Sequence, residues 1–372
     1  MRRVVRPAAR VAAPPMTPPA PHEPTRPRRT GAWPWLFALA LVAGLVLELR
    51  LGEVPLDYGA IWSALLGESD PTTTTIARLR LWRALTIAGT GASLAVAGVL
   101  VQGVFQNPLA GPGLLGLSAG AALFAVAALI ALGGAATKLD LLGADLQTGL
   151  LVVPASAFVG SMLVALVVWK LGLAGRRPSI PTTLLLGIAM NILCAGAQQF
   201  LQALALPDWE VSRSILVWSF GSFEDRSGVH ALLVWLGLAV ALAVVPFVGR
   251  ELDLLRGGVQ DARALGVDEL AVSRLALLAA AASVATSTAV CGQIPFVGLI
   301  VPHLARATFG RAHRPLAFAA ALCGAAFLLW CDVATRAAGW SGALPPGVLL
   351  ALLGGPLFLY LLNRSRREVV AW

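Results

Sequence analysis

Charge is what this chain of 372 residues has least of: only 13% are Asp, Glu, Lys or Arg, against about 25% in a soluble protein. With 58% hydrophobic residues, that deficit excludes a soluble globular domain and implies an integral membrane protein with several spans. Lysine is nearly absent. Lys138 and Lys170 are the only two, each followed by leucine. A Walker A loop needs Lys followed by Ser or Thr after its glycines, so the chain cannot bind ATP in that way. There is no HExxH and no carboxylate pair in adjacent apolar segments. The four cysteines, Cys194, Cys291, Cys323 and Cys331, form no CxxC pair and lie in or beside apolar segments, and the four histidines are scattered. Such thiols behave as small hydrophobes, and no metal site, cofactor or disulfide framework is expected.

The net charge of +9 raises nucleic acid or an anionic lipid surface as partners, and its distribution argues for membrane orientation instead. Seven arginines fall within residues 2–29, in a Pro/Arg-rich stretch without apolar periodicity that reads as a disordered cytoplasmic tail. The apolar run Trp33 to Leu49 resembles a signal peptide, but no small-residue cleavage pattern follows it, so it reads as a retained first span. Residues 51–82 are polar. Nine further apolar segments follow, at about 84–105, 113–134, 149–170, 182–206, 229–248, 271–290, 294–309, 315–338 and 346–362. A span needs about 20 residues, so the eighth is short. Ten spans with both termini cytoplasmic leave only Arg50, Arg78, Arg80, Arg83, Lys138, Arg213, Arg226 and Arg336 outside, of 28 basic residues. That inward bias supports the topology. The expected organisation is a tail over 1–30, a ten-helix membrane domain over 31–364 and a cytoplasmic tail over 365–372. Its small-residue faces, such as Ala88 to Ser93 and Ala279 to Ala282, suit close helix packing in lipid.

Three stretches break the apolar pattern. Gly292 to Arg306 reads GQIPFVGLIVPHLAR, and its prolines and glycines do not write a straight spanning helix. Irregular backbone at membrane depth is tolerated only against protein or a water-filled cavity. The topology puts Pro302, His303 and Arg306 toward the inner end of the eighth span, as structural or coupling residues rather than ligands. The second span ends in Gln102 to Gly113, QGVFQNPLAGPG, a tight non-helical turn whose Gln102, Gln106 and Asn107 suit a pore mouth. The inner loop over 250–270 carries Gly257-Gly258 and Gly266 around a short helical run, the pattern of a docking element for a cytoplasmic partner. Asp332 is the one clearly intramembrane acid, and Arg336, four residues on, can pair with it on one helix face. Proton-driven transporters carry several ionisable groups along a relay, so an ion- or proton-coupled secondary transporter is the weaker alternative. An intramembrane enzyme lacks any nucleophile–base constellation.

These residues carry a resemblance. Arg80-Leu81-Trp82-Arg83, Gln102-Gly103, Asn107-Pro108-Leu109-Ala110, Gly113 to Gly116, Ser118 to Ala121, Ala262 to Gly266, Gly298 to His303 with Arg306, Asp332 with Arg336, Leu344-Pro345 with Gly347, and Gly354 with Pro356 resemble the FecCD-type permeases of bacterial ABC importers. The likeness runs from about Arg78 to Arg364. It implies an all-α, ten-span subunit of the type II ABC importer fold, in the cytoplasmic membrane, that is not itself an enzyme. It further implies a dimer with an identical or paralogous permease, two cytoplasmic ATPase subunits and an external binding protein, for cargo such as iron–siderophore complexes, haem or cobalamin. On that resemblance Asn107 and Leu109, with Pro181 and Thr182, match the cytoplasmic gate. Gly258, Ala262, Arg263, Leu265 and Gly266 match coupling helices that seat in the ATPase. Arg80, Arg83 and Arg336 match arginines that pair with glutamates of the binding protein. Trp82, Val259 and Gln260 depart from the family pattern, and residues 1–30 have no counterpart in it.

Overall fold

A computed structural model describes residues 31–365 apart from 53, 55, 135–137, 142–143, 173–179, 225 and 340–343, with the side chains of 138–141, 144–150, 180–181, 361 and 364–365 also left undescribed. The tail expected over 1–30, residues 366–372 of the tail expected over 365–372, and the side chain of Pro181 lie outside the described residues. The chain runs α1 (Trp33–Arg50), α2 (Tyr58–Leu66), α3 (Pro71–Val104), a 3-10 turn (Pro112–Leu115), α4 (Leu117–Ala131), β1 (Lys138–Leu141), β2 (Ala144–Gln147), α5 (Thr148–Gly172), α6 (Ile180–Ala205), α7 (Trp209–Ser219), α8 (Gly228–Leu255), α9 (Val259–Ala264), α10 (Glu269–Cys291), α11 (Val297–Phe309), α12 (His313–Ala337) and α13 (Pro346–Ser365). Among the described residues the only strands are β1 and β2, which pair antiparallel from Lys138 opposite Gln147.

Seven of these helices are long and apolar enough to cross a membrane, and three shorter apolar ones, within α4, α11 and α13, accompany them. Together they account for the ten apolar segments. The boundaries differ where local chemistry intervenes. The second span was expected to begin near residue 84, but its helix starts at Pro71, because Asp70 caps it by accepting from the Thr73 amide at 3.0 Å and proline suits the first turn. Its 34 residues extend about 51 Å at 1.5 Å per residue. Residues 51–82, expected as a polar connection, therefore hold α2 and the first turns of α3. The third span starts late, at Leu117, because Gly116 is left-handed (φ 77°) and separates the 3-10 turn from α4.

α3 is the axis of the bundle. In its membrane window 94% of residues are buried, and α12, α8, α10 and α11 surround it. Side chains of ordinary size do not allow this. A Cβ on Gly91 would run into the Gly324 carbonyl of α12, and one on Gly98 into the Gly298 carbonyl of α11. On the α8 side, Gly89 admits Trp235, whose ring nitrogen donates to the Leu85 carbonyl at 3.1 Å. With little hydrophobic drive between helices in lipid, such close approach supplies the dispersion that holds them. Hydroxyls add cross-helix bonds: Ser283 Oγ of α10 donates to the Ser93 carbonyl at 3.1 Å.

Gly98→Val is expected to destabilise the bundle by about 1–3 kcal/mol through overpacking, read as a lower unfolding temperature in detergent. Gly355→Ala, where a Cβ meets open space, should leave that temperature unchanged.

Candidate functional site

Both ends of the bundle carry polar structure. At one end, hereafter the Arg83 end, α1, α3 and α12 meet in a buried ionic cluster. Arg83 Nη2 donates to both Asp332 oxygens at 2.8 Å. Arg336 Nε lies 3.2 Å from Asp332 Oδ2 and 3.5 Å from Glu48 Oε1, and Arg83 Nε lies 3.7 Å from the same Glu48 oxygen. Glu48 and Asp332 are each 1% exposed. Two carboxylates thus share two guanidiniums, so none of the buried charges faces apolar surroundings alone. The same arginines finish α1. Arg80 Nη1 donates to the carbonyls of Leu49 and Arg50, both at 3.1 Å, and Arg336 Nη1 to that of Leu51 at 2.9 Å. These carbonyls end a helix and have no intrahelical partner.

Sequence spacing paired Asp332 with Arg336, and the structure places them in contact. It also adds Glu48, which lies within the run Trp33 to Leu49 and was assigned no role; an acid inside an apolar run was the available signal. Arg80, Arg83 and Arg336, expected to reach toward a partner, are turned inward and hold acceptors of this chain. Beside them is a cavity of ≈ 450 Å³ reached by Arg83, Arg213, Glu224 and Arg336.

Toward the opposite end, hereafter the α9 end, the turn after α3 is built as a tight reversal. Gln106 takes a left-handed φ of 48°, and Asn107 Oδ1 accepts from the Leu109 amide at 2.9 Å, an Asx turn. Asn107 is exposed and Leu109 half-buried. The chain then enters the 3-10 turn, which seats on α6: Gly187 packs against Leu114, and Asn191 Nδ2 donates to the Gly113 carbonyl at 2.7 Å. Thr182, exposed at the start of α6, stands little more than a turn before Gly187, so the two expected gate segments share this end.

Between them lies a cavity of ≈ 580 Å³, bounded by the 3-10 turn, α6 and the segment Gln293–Phe296. That segment is the irregular backbone foreseen after Gly292. Gly292 (φ 74°) closes α10 and Phe296 (φ 66°) opens α11, so the eighth span is a 13-residue helix with a non-helical approach lining a cavity. Pro302 is buried in α11, His303 and Arg306 are half-buried on its later turns, and Arg306 is close enough to Arg256 and Arg311 to feel their charge.

The loop over 250–270 contributes one short helix rather than several. Residues 250–255 complete α8, and α9 holds six residues between Gly258 (φ 130°) and Gly266 (φ 86°), conformations that favour glycine. Ala262 is buried and anchors α9, whereas Leu265 is 69% exposed. Arg263 Nη2 pairs with Glu269 Oε2 at 2.9 Å. A contact absent from the sequence reading joins this loop to the gate turn. Asp253, in the last turn of α8, accepts from the His313 amide at 3.1 Å and lies 2.6 Å from His313 Nδ1. The other edge of that imidazole lies against Gly103, where a Cβ would stand 2.7 Å from Nε2. His313 is therefore wedged between the end of α8 and the end of α3. Nothing in the spacing of residues 103, 253 and 313 announces it.

A long, mostly apolar helical bundle with a cavity at a helix break and a glycine-bracketed loop at one end has the architecture of a multi-pass membrane protein. The model of the FecCD transport family matches residues 40–364, and the chain belongs to that family of transport permeases. It is 34% identical to the hemin transport system permease protein HmuU of Yersinia pestis, over 89% of this chain and 96% of that one. It is 34% identical to the cobalamin import system permease protein BtuC of Halobacterium salinarum, over 92% and 90%, and to the Fe(3+) dicitrate transport system permease protein FecD of Escherichia coli, over 89% and 98%. A solved metal-chelate type ABC transporter in an inward-facing conformation is similar in fold, with a TM-score of 0.74 and 27% identity, over 90% of this chain and 99% of that one.

Arg83→Met leaves two buried carboxylates with one guanidinium fewer, and unfolding should become easier by on the order of 3 kcal/mol. Arg263→Met removes a pair whose arginine is 61% exposed and should change stability by about 0–1 kcal/mol. Equal effects in a detergent unfolding series would contradict a structural role for the cluster.

Proposed function

We propose that this chain is the translocating subunit of an ABC importer for an iron–siderophore complex, haem or cobalamin, driven by ATP hydrolysis in partner subunits. The observation that carries this reading is the cavity beside the 3-10 turn, walled by irregular backbone at the depth of the bundle. Its position next to the turn at Asn107 and Leu109 supports that turn, with Pro181 and Thr182, as the gate. In the ten-span topology argued from the sequence only eight of the 28 basic residues fall on the side opposite the α9 end, and that bias supports a cytoplasmic placement of the α9 end and of both termini. There Leu265, an exposed apolar side chain on a glycine-bracketed helix, is the anchor proposed for the ATPase, with Gly258, Ala262, Arg263 and Gly266 shaping the surface. His303 and Arg306, on the adjoining turns of α11, are proposed to help transmit the motor's movement. A second permease subunit completes the pathway in this reading.

The binding protein is proposed to dock at the Arg83 end. The guanidiniums of Arg80, Arg83 and Arg336 are engaged inside the chain, so their contribution to docking would be the rim they hold and its positive field, shared with the exposed Arg50, Arg78 and Arg213. Opposite charge on a partner would then set its approach and register. The buried acids Glu48 and Asp332 sit together at one end, neutralised by arginine, and form no relay across the bundle.

Reconstituted with its ATPase and binding protein, the chain should take up chelate only with ATP, and an ionophore should not stop it. Uptake without ATP would overturn the importer reading. Leu265→Glu should weaken co-purification of the ATPase by tenfold or more, since a buried apolar anchor typically carries about 2 kcal/mol of an interface. His313→Ala should lower the number of chelate molecules moved per ATP hydrolysed, because it uncouples α8 from the gate turn; parallel loss of both rates would indicate a purely structural role.

A further inference from the structure

The cavity at the 3-10 turn is polar without being charged. Its polar side chains are Asn191 and Gln198 of α6, Gln293 of the irregular segment and Ser118 of α4, set among apolar walls such as Ile294, Phe296 and Leu299. No Asp, Glu, Lys, Arg or His is among the described residues that line it, nor any Cys, Met or Tyr. Two consequences follow from that chemistry. A bare metal ion would find no carboxylate, imidazole or thiolate to replace its hydration, so the metal must arrive with its coordination already filled. A chelate with free carboxylates would also lack a partner, because its charge would leave water with no cation to meet it.

Amides suit a different cargo. A carboxamide both donates and accepts, and Asn191 donates one N–H of its Nδ2 to the Gly113 carbonyl, which orients the side chain and leaves its oxygen and its other N–H for cargo. The arginines that would meet carboxylates stand elsewhere, at the Arg83 end, where Arg83 and Arg336 are matched by Glu48 and Asp332.

On the importer reading above, we propose that this cavity selects a metal chelate whose periphery is neutral and hydrogen-bonding, fringed with hydroxamate or carboxamide groups, over one that presents free carboxylates. Asn191, Gln198, Gln293 and Ser118 are the specificity-determining side chains. Gln198 and Gln293 are the most informative to change, since neither is buried in the helix packing.

The test uses the chain with its cognate ATPase in lipid nanodiscs, without binding protein, so that the cavity rather than the delivery protein selects. Binding of four probes is measured by equilibrium dialysis: a ferric trihydroxamate, an amide-fringed corrinoid, haem and ferric citrate. The two neutral-fringed chelates should bind at least about tenfold tighter than the two carboxylate-bearing ones, the scale set by an unpaired polar group in a closed site. Gln198→Lys and Gln293→Lys should each shift the ratio toward the carboxylate chelates. Equal or tighter binding of haem or ferric citrate to the native complex overturns the proposal, as does a ratio that neither lysine variant moves. ATP-driven uptake with the binding protein present, but no chelate bound by the complex alone, also overturns it while leaving the importer reading intact. Neither binding nor ATP-driven uptake of any chelate overturns both.

Discussion

The close contact of helix backbones along α3 is the constraint on which the rest of the molecule depends. A helix buried on all sides in a membrane protein has no lipid-facing stripe to orient it, so its neighbours must register on it through shape. Here the register is set by glycine meeting glycine: Gly91 against Gly324 and Gly98 against Gly298. The second contact carries the functional geometry. It places the first turn of α11 beside α3 and Pro112, and residues 293–295 cross to it from the end of α10 outside either helix. The cavity opens beside that non-helical segment. Packing and pathway are therefore consequences of the same approach.

The distribution of charge obeys a related economy. Two sets of matched ionisable groups brace the two ends of the bundle, the Glu48, Arg83, Asp332 and Arg336 cluster at one and Asp253 with His313 at the other. Each braces its end: the first joins α1, α3 and α12 and completes the end of α1, and the second wedges the end of α8 against the end of α3. The cavity between these ends is left with amides and a hydroxyl. Such a wall can offer hydrogen bonds to a large solute without holding it by charge, which suits a pathway through which cargo must also leave.

Some of this was legible from the chain alone. Long apolar runs interrupted by arginine-bearing loops gave the ten segments, because water cannot satisfy a backbone inside lipid and spans must be continuous apolar helices. The turn at Asn107 and the break at Gly292 were equally plain, since proline and glycine act on the backbone locally. Less was visible of the ends. Asp70 and Pro71 mark a helix start, yet the polar residues after them hid the first turns of α3, which hydropathy counts as loop. Glu48 lies within the run Trp33 to Leu49, and only its neighbours across the bundle make it part of a cluster.

What the sequence determined by itself is the kind of object this is: a many-spanning permease without a Walker A loop, irregular at three stretches, and a member of a transport family. Those properties follow from local backbone chemistry and from the period and length of apolar runs. What only the tertiary structure decided is which distant residues meet. That α1 and α12 supply acceptors to Arg80, Arg83 and Arg336, and that His313 lies between Gly103 and Asp253, is visible only in the tertiary structure. Asn191, Gln198 and Gln293 came to line one cavity only when α6, seated on α4 and the 3-10 turn, faced the segment Gln293–Phe296. Such contacts span scores to hundreds of residues, and the close backbone approach that creates them leaves no periodic trace in the sequence.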